Sequence, residues 1–147
     1  MIAYMPENTF LNGKVRTRSL PAFELPLAPD APTVKRLLLP QGELAQFYDC
    51  EEGVRYIASI ELKAGSVRGN HYHKIKREYV YLLSGQVLFV FVNLETGARE
   101  EIELAGGSLA FIEPGIAHAL DVKESGMAVE FSPNRFDVGD TYREKLV

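Results

Sequence analysis

Only three histidines occur in this chain, and two stand one residue apart: His71 and His73 in "GNHYHKIKREYVYLLSG" (residues 69–85), with Glu78 five residues after the second. The third, His118, follows "IEPGIA" far downstream. Imidazole nitrogens are borderline donors and a carboxylate oxygen is a hard one. Three imidazoles and one carboxylate, if the fold brings them together, suit a divalent transition metal: Zn, Fe, Mn, Ni or Co. Cu(I) fits less well, because no thiolate takes part. Taken singly, each residue has a blander reading. An isolated His beside a strand is more often structural, a single H-x-H recurs by chance, and a lone Glu is usually solvated or ion-paired. The weight rests on their conjunction.

Strand geometry can deliver that conjunction. Residues i and i+2 of a strand face the same way, so an extended stretch over 70–73 points His71 and His73 to one side. "EYVYLL" reads as a neighbouring strand with Glu78 at its start, and His118 opens another just after a turn. From residue 36 onward, short runs rich in Val, Ile, Leu, Phe and Tyr ("RLLLP", "LAQFY", "RYIASIEL", "QVLFVFVN", "REEIEL", "SLAFIE", "MAVEFS") alternate with glycine-bearing turns. That spacing predicts an all-β sandwich or barrel. "NLETGAREEIEL" predicts a hairpin with Gly97 where φ is positive. No helical stripe exceeds two turns, although "DTYREKLV" allows a short C-terminal helix.

Residues 1–34 hold five of the eight prolines with no steady period, and predict an extended N-terminal arm with at most one short strand. The arm is not an independent domain, and residues 35–147 form the barrel domain. An arm of this kind must be tied down, and crossing to a second subunit is one way. At 147 residues the chain is long enough for one domain with its own core. A net charge of −4 argues against a nucleic-acid partner. Cys50 is the only cysteine, which excludes an internal disulfide and favours a reducing compartment. Neither a secretory leader nor an apolar run long enough for a bilayer is evident, so the expectation is a cytoplasmic protein with no membrane partner.

The conjunction resembles the cupin superfamily. Gly65, His71, His73, Glu78 and Gly85 match the spacing of its first motif at every position. Gly107, Pro114, Gly115 and His118 match the second, with Glu113 in place of its first proline and Val122 in place of its final asparagine. Neither departure falls on a family metal ligand. The resemblance implies a small RmlC-like cupin: a double-sheet jelly roll barrel with His71, His73, Glu78 and His118 holding a divalent transition metal near its mouth. The histidines must be neutral to ligate, so binding should weaken below about pH 6.5. A divalent ion offset by one carboxylate leaves the site attractive to anionic or oxygen-rich ligands. One or two open coordination positions would take water, O2 or a substrate oxygen. The flanking glycines report the turns of the fold, not its chemistry.

A narrower resemblance links "RGNHYH" to cupins that process nucleotide-linked sugars, including cupin domains of capsular-polysaccharide enzymes and the sugar ketoisomerases and epimerases. It matches Arg68 to an arginine that helps hold the substrate's phosphates. Strict alternation turns Arg68 away from His71, whereas a bulge at Gly69 would bring it back. Tyr79 and Tyr81 fall opposite Glu78 by parity and read as packing residues. Glu130 faces either the cavity or the outer surface. "KIKRE" (74–78) reads first as a solvated loop.

Three classes follow. The first is a metal-dependent isomerase or epimerase on a sugar or nucleotide-sugar, slightly favoured. The others are an iron-dependent dioxygenase and a non-catalytic sugar-binding cupin. No proton-transfer residue beyond the ligands is evident. A homodimer is expected from the resemblance; "VLFVFV" is also apolar on both faces, so its second face must pack on either an opposing sheet or a partner subunit.

Overall fold

A computed structural model describes residues 7–147. The strands are β1 (Asn8–Phe10), β2 (Val15–Ser19), β3 (Ala22–Phe23), β4 (Lys35–Leu39), β5 (Gly42–Gln46), β6 (Tyr56–Leu62) and β7 (Val67–Tyr72). They continue with β8 (Glu78–Leu82), β9 (Gln86–Asn93), β10 (Arg99–Ala105), β11 (Ser108–Ile112), β12 (Ile116–Glu124), β13 (Gly126–Ser132) and β14 (Tyr142–Arg143). Two antiparallel sheets face each other, one ordered β1-β2-β11-β8-β13-β6 and the other β10-β9-β12-β7-β14. A small third sheet, β3-β4-β5, covers part of the outside. Among the described residues there is no α-helix, and therefore none long and apolar enough to cross a membrane.

Period-two alternation builds the interior. On β8, Val80 and Leu82 enter the core between the sheets, where Phe89 and Phe91 of β9 and Leu120 and Val122 of β12 meet them. Tyr79 and Tyr81 point the other way, as parity predicted. Tyr81 stacks on Phe47 at 4.2 Å between ring centroids and Tyr79 on Phe131 at 4.9 Å. The hairpin of β9 and β10 forms as predicted, with Gly97 at φ 77°.

Two expectations need correction. Residues 1–6 of the arm lie outside the described residues; 7–34 contribute three strands where one short strand was expected, and β2 is hydrogen-bonded into the larger sheet beside β11, where Val15 is fully buried. Arg16 and Arg18 broke the apolar pattern that would have marked that strand. "DTYREKLV" forms no helix: a single 3-10 turn, Val138–Asp140, leads into β14, which pairs with β7. Backbone pairing outcompetes a segment too short to nucleate a helix. On β9, outward-facing Val90 is 1% exposed within the single chain, and Leu88 and Val92 on the same face are half-buried.

Inward-facing residues change character along the barrel. Reading β8 backwards gives Leu82, Val80, Glu78; β12 gives Val122, Leu120, His118; β13 gives Ala128, Glu130. The cross-strand register puts the three polar residues at the same end.

Candidate metal centre

The four residues singled out from sequence converge at that polar end. His118 lies directly across from His71 in the β12–β7 ladder, and their ring centroids are 4.8 Å apart. His73, just past the end of β7, keeps the side of His71 at 5.0 Å. Glu78 reaches in from the opposite sheet, with Oε2 3.1 Å from His118 Nε2 and 3.4 Å from His73 Nε2. One ligand atom from each of the four lies within 4.8 Å of the others.

Two backbone carbonyls decide which nitrogens face inward. His73 Nδ1 donates to the carbonyl of Asp140 at 2.8 Å, and His118 Nδ1 donates to that of Ile116 at 3.1 Å. A carbonyl only accepts, so each Nδ1 carries the hydrogen, and each Nε2 presents a lone pair when the ring is neutral. Those lone pairs confront the Glu78 carboxylate, and His73 Nε2 and Glu78 Oε2 have no hydrogen-bond partner although both are buried. Acceptors packed against acceptors are unfavourable unless a cation lies between them. Residue types, anchored tautomers and orphaned atoms all fit a divalent metal ion.

Electrostatics point the same way. Glu78 is 3% exposed, and Lys76 Nζ lies 3.9 Å from its Oε1 and 2.6 Å from Glu130 Oε1. With neutral histidines, two carboxylates and one ammonium leave one negative charge in a poorly solvated space, which a bound cation or a proton on His73 would offset. Burial pushes the His71 pKa down to about 4, helped by His118. Burial also pulls His73 down, but the Glu78 carboxylate, which favours a protonated ring beside it, outweighs this and raises it. Burial acts to raise Glu78, yet His118, His73 and Glu130 around it hold it well below the usual carboxylate range. Glu130 is pushed up to about 7 by burial and by the neighbouring Glu78, against the pull of Lys76.

The open alternatives now resolve. Gly69 (φ 87°) and Asn70 (φ 55°) form a bulge where the β12 register shifts between His118 and Ala119. The alternation breaks there, and Arg68 lines the same cavity as His71, Glu78, His118 and Glu130. It remains solvent-exposed at the mouth, with one long bond to the Glu61 carbonyl at 3.4 Å. Glu130 faces the cavity, not the outer surface. The solvated-loop reading of "KIKRE" holds for Lys74 and Ile75 but fails for Lys76, which is 7% exposed and lies over the Tyr56 ring at 4.6 Å. Sequence reasoning also missed Asp140. It lies 67 positions from the histidine that it anchors, and nothing local marks it.

A family model described as the polysaccharide biosynthesis C-terminal domain matches residues 40–132, which include all four clustered residues and Glu130. No curated protein matches the chain by sequence. Among solved structures, the chain is similar to dTDP-6-deoxy-D-glucose-3,5-epimerase from Legionella pneumophila, solved with dTDP-4-keto-L-rhamnose. That similarity has a TM-score of 0.72 and 14% identity, over 95% of this chain and 77% of that one. The dTDP-4-dehydrorhamnose 3,5-epimerase from Sulfolobus tokodaii gives 0.72 at 18% identity, over 95% and 82%. A double mutant of a 3,4-ketoisomerase from Thermoanaerobacterium thermosaccharolyticum, solved with TDP, gives 0.69 at 18% identity, over 89% and 88%. The fold is that of the RmlC-like cupins.

Proposed function

The chain belongs to the polysaccharide biosynthesis C-terminal domain family, and from that membership we propose that it is a metal-dependent isomerase or epimerase acting on a nucleotide-linked keto sugar. One observation carries the reading. A single cavity of ≈ 100 Å³ is lined, side by side, by members of a four-residue cluster suited to a metal ion and by a separate carboxylate, Glu130.

His71, His73, Glu78 and His118 would hold the ion, and when bound it would supply Lewis-acid polarisation of a keto oxygen. The remaining work falls to the chain itself. Glu130 is the one carboxylate lining the cavity that is not among the four ligands. Lys76 holds it at 2.6 Å, so it is placed to take a proton from the carbon beside the keto group and deliver it to the adjoining carbon. Ile60, Val80 and Leu120 form the apolar floor, which excludes water from a carbanion-like species. The cavity is smaller than a whole nucleotide-sugar, so only the reacting part enters. The charged remainder lies at the mouth, where Arg68 offers a guanidinium to phosphate oxygens.

The test is deuterium wash-in. Zinc-loaded protein is incubated with a thymidine-diphosphate-linked 4-keto sugar in D2O and followed by NMR. Exchange at the carbon beside the keto group is expected, and Glu130→Gln should slow it by about 10²–10⁴-fold while metal content stays unchanged. Absence of exchange under zinc, manganese, nickel and iron loading would defeat the proposal. Fe(II)-dependent oxygen uptake would replace it with a dioxygenase, and nucleotide-sugar binding without exchange with a binding module.

A further inference from the structure

Residues 137–147 lie outside the stretch matched to the family, yet they touch nearly every residue from 70 to 76. The Asp140 carboxylate accepts backbone N–H groups from Lys74 (2.9 Å), Ile75 (3.2 Å) and Lys76 (2.9 Å), while its own carbonyl takes His73 Nδ1–H. Three such donors hold that carboxyl below the usual range although burial acts against them. Beyond the turn, Tyr142 stacks on Tyr72 at 5.2 Å and receives Lys74 Nζ over its ring at 4.3 Å. Arg143 pairs with His71 in the ladder. Finally, Glu144 N donates to the Asn70 carbonyl at 2.9 Å, and the Asn70 side chain binds the backbone of Leu146 and Val147.

We propose that this segment is a positioning strap for the metal-binding strand, with Asp140 as its positioning residue. The inference rests on the metal reading for its consequence but not for its geometry. Asp140 acts on both sides of His73. Its carbonyl fixes the ring so that Nε2 faces Glu78. Its carboxylate closes the 74–76 loop that sends Lys76 inward and sets the start of β8. Nothing else in the described residues accepts the His73 Nδ1 hydrogen. Loss of the carboxylate frees the loop, lets the turn drift, and releases the carbonyl from the ring. A partner of this kind, one bond behind a metal ligand, sets ligand orientation and so affinity.

Two readouts test the strap in wild type, Asp140→Ala, Asp140→Asn and Tyr142→Ala. The first is zinc affinity by competition with a chromophoric chelator. The second, on metal-free protein, is the imidazole ¹⁵N–¹H correlation that reports which His73 nitrogen is protonated. Asp140→Ala should weaken zinc binding by about 10–100-fold and abolish the protected His73 Nδ1–H signal while that of His118 persists. Asp140→Asn keeps an oxygen acceptor for the loop and should recover most of both. Wild-type affinity with an unchanged His73 signal in Asp140→Ala overturns the strap. If the wild type takes no zinc, the metal reading fails and the His73 signal alone decides: its loss supports the strap, its persistence refutes it. If Asp140→Ala does not fold, Tyr142→Ala, which removes ring contacts but no buried acceptor, is judged by the same criteria.

Discussion

Gly69 is where a single methyl group should do the most damage to the site without replacing a proposed ligand. A Cβ built there would meet the His118 carbonyl oxygen at 2.7 Å and Ala119 Cα at 3.2 Å. Both are backbone atoms in the middle of β12, so neither can swing aside. The residue also has φ 87°, a left-handed conformation that costs an L residue about 1–2 kcal/mol. Overpacking against a fixed wall adds about 1–3 kcal/mol. Together, Gly69→Ala should destabilise the protein by roughly 2–5 kcal/mol. For a chain of this length that lowers Tm by roughly 4–20 °C. Gly97→Ala is the control, because φ is 77° there but no atom lies within 4 Å, so only the conformational strain remains. Urea melts of the two variants isolate the contact. Because the pushed carbonyl belongs to His118, zinc affinity should also drop at least tenfold in Gly69→Ala and stay unchanged in Gly97→Ala. Should the two variants agree within about 0.5 kcal/mol and bind zinc alike, the close approach does not constrain the centre and the reasoning fails.

Other outcomes follow from the same geometry. Lys76→Met leaves Glu130 and Glu78 without their ammonium and should destabilise by about 3 kcal/mol at pH 8, less at pH 5.5 where Glu130, already pushed up to about 7, takes a proton; equal losses at both pH values in urea melts would contradict the pairing. Removing metal with a chelator should lower Tm by roughly 8–16 °C from a protein held at a thousandfold excess over Kd, an effect His71→Ala should abolish in differential scanning calorimetry. In the metal-free protein, the depressed His71 pKa means that the unfolded chain takes its proton near pH 6.5 while the fold resists until about 4. The contribution is therefore present above 6.5 and lost as pH falls, whereas the raised His73 acts with the opposite sign. The stability of wild type relative to His71→Gln should decline from pH 7.5 to 4.5, and parallel curves would refute the assignment. Sedimentation equilibrium checks the homodimer, for which Leu44, Leu83 and Met127, all exposed, are the surfaces to substitute first.

The sequence by itself determined the all-β class, which depends on short-range rules, while the convergence of the four residues was legible through motif spacing that resembles the cupins. Period-two alternation places His71 beside His73 and turns Tyr79 and Tyr81 away from Glu78. Glycine-bearing turns separate the strands, and the motif spacing carries the rest. What alternation cannot express, only the tertiary structure decided. Arg68 reaches the cavity because two consecutive left-handed residues, Gly69 and Asn70, insert a bulge whose partner strand lies about fifty residues away. Lys76 is buried because Glu130, on a strand 54 positions later, neutralises it; local composition shows only a basic run beside a turn. Asp140 escaped notice for the same reason. Its function is to satisfy backbone donors and one imidazole hydrogen, and backbone donors are identical at every residue, so no residue type near His73 announces that a partner is needed. Period and spacing are written in the chain, whereas charge compensation and hydrogen-bond closure belong to groups that meet only once the two sheets and the C-terminal segment have come together.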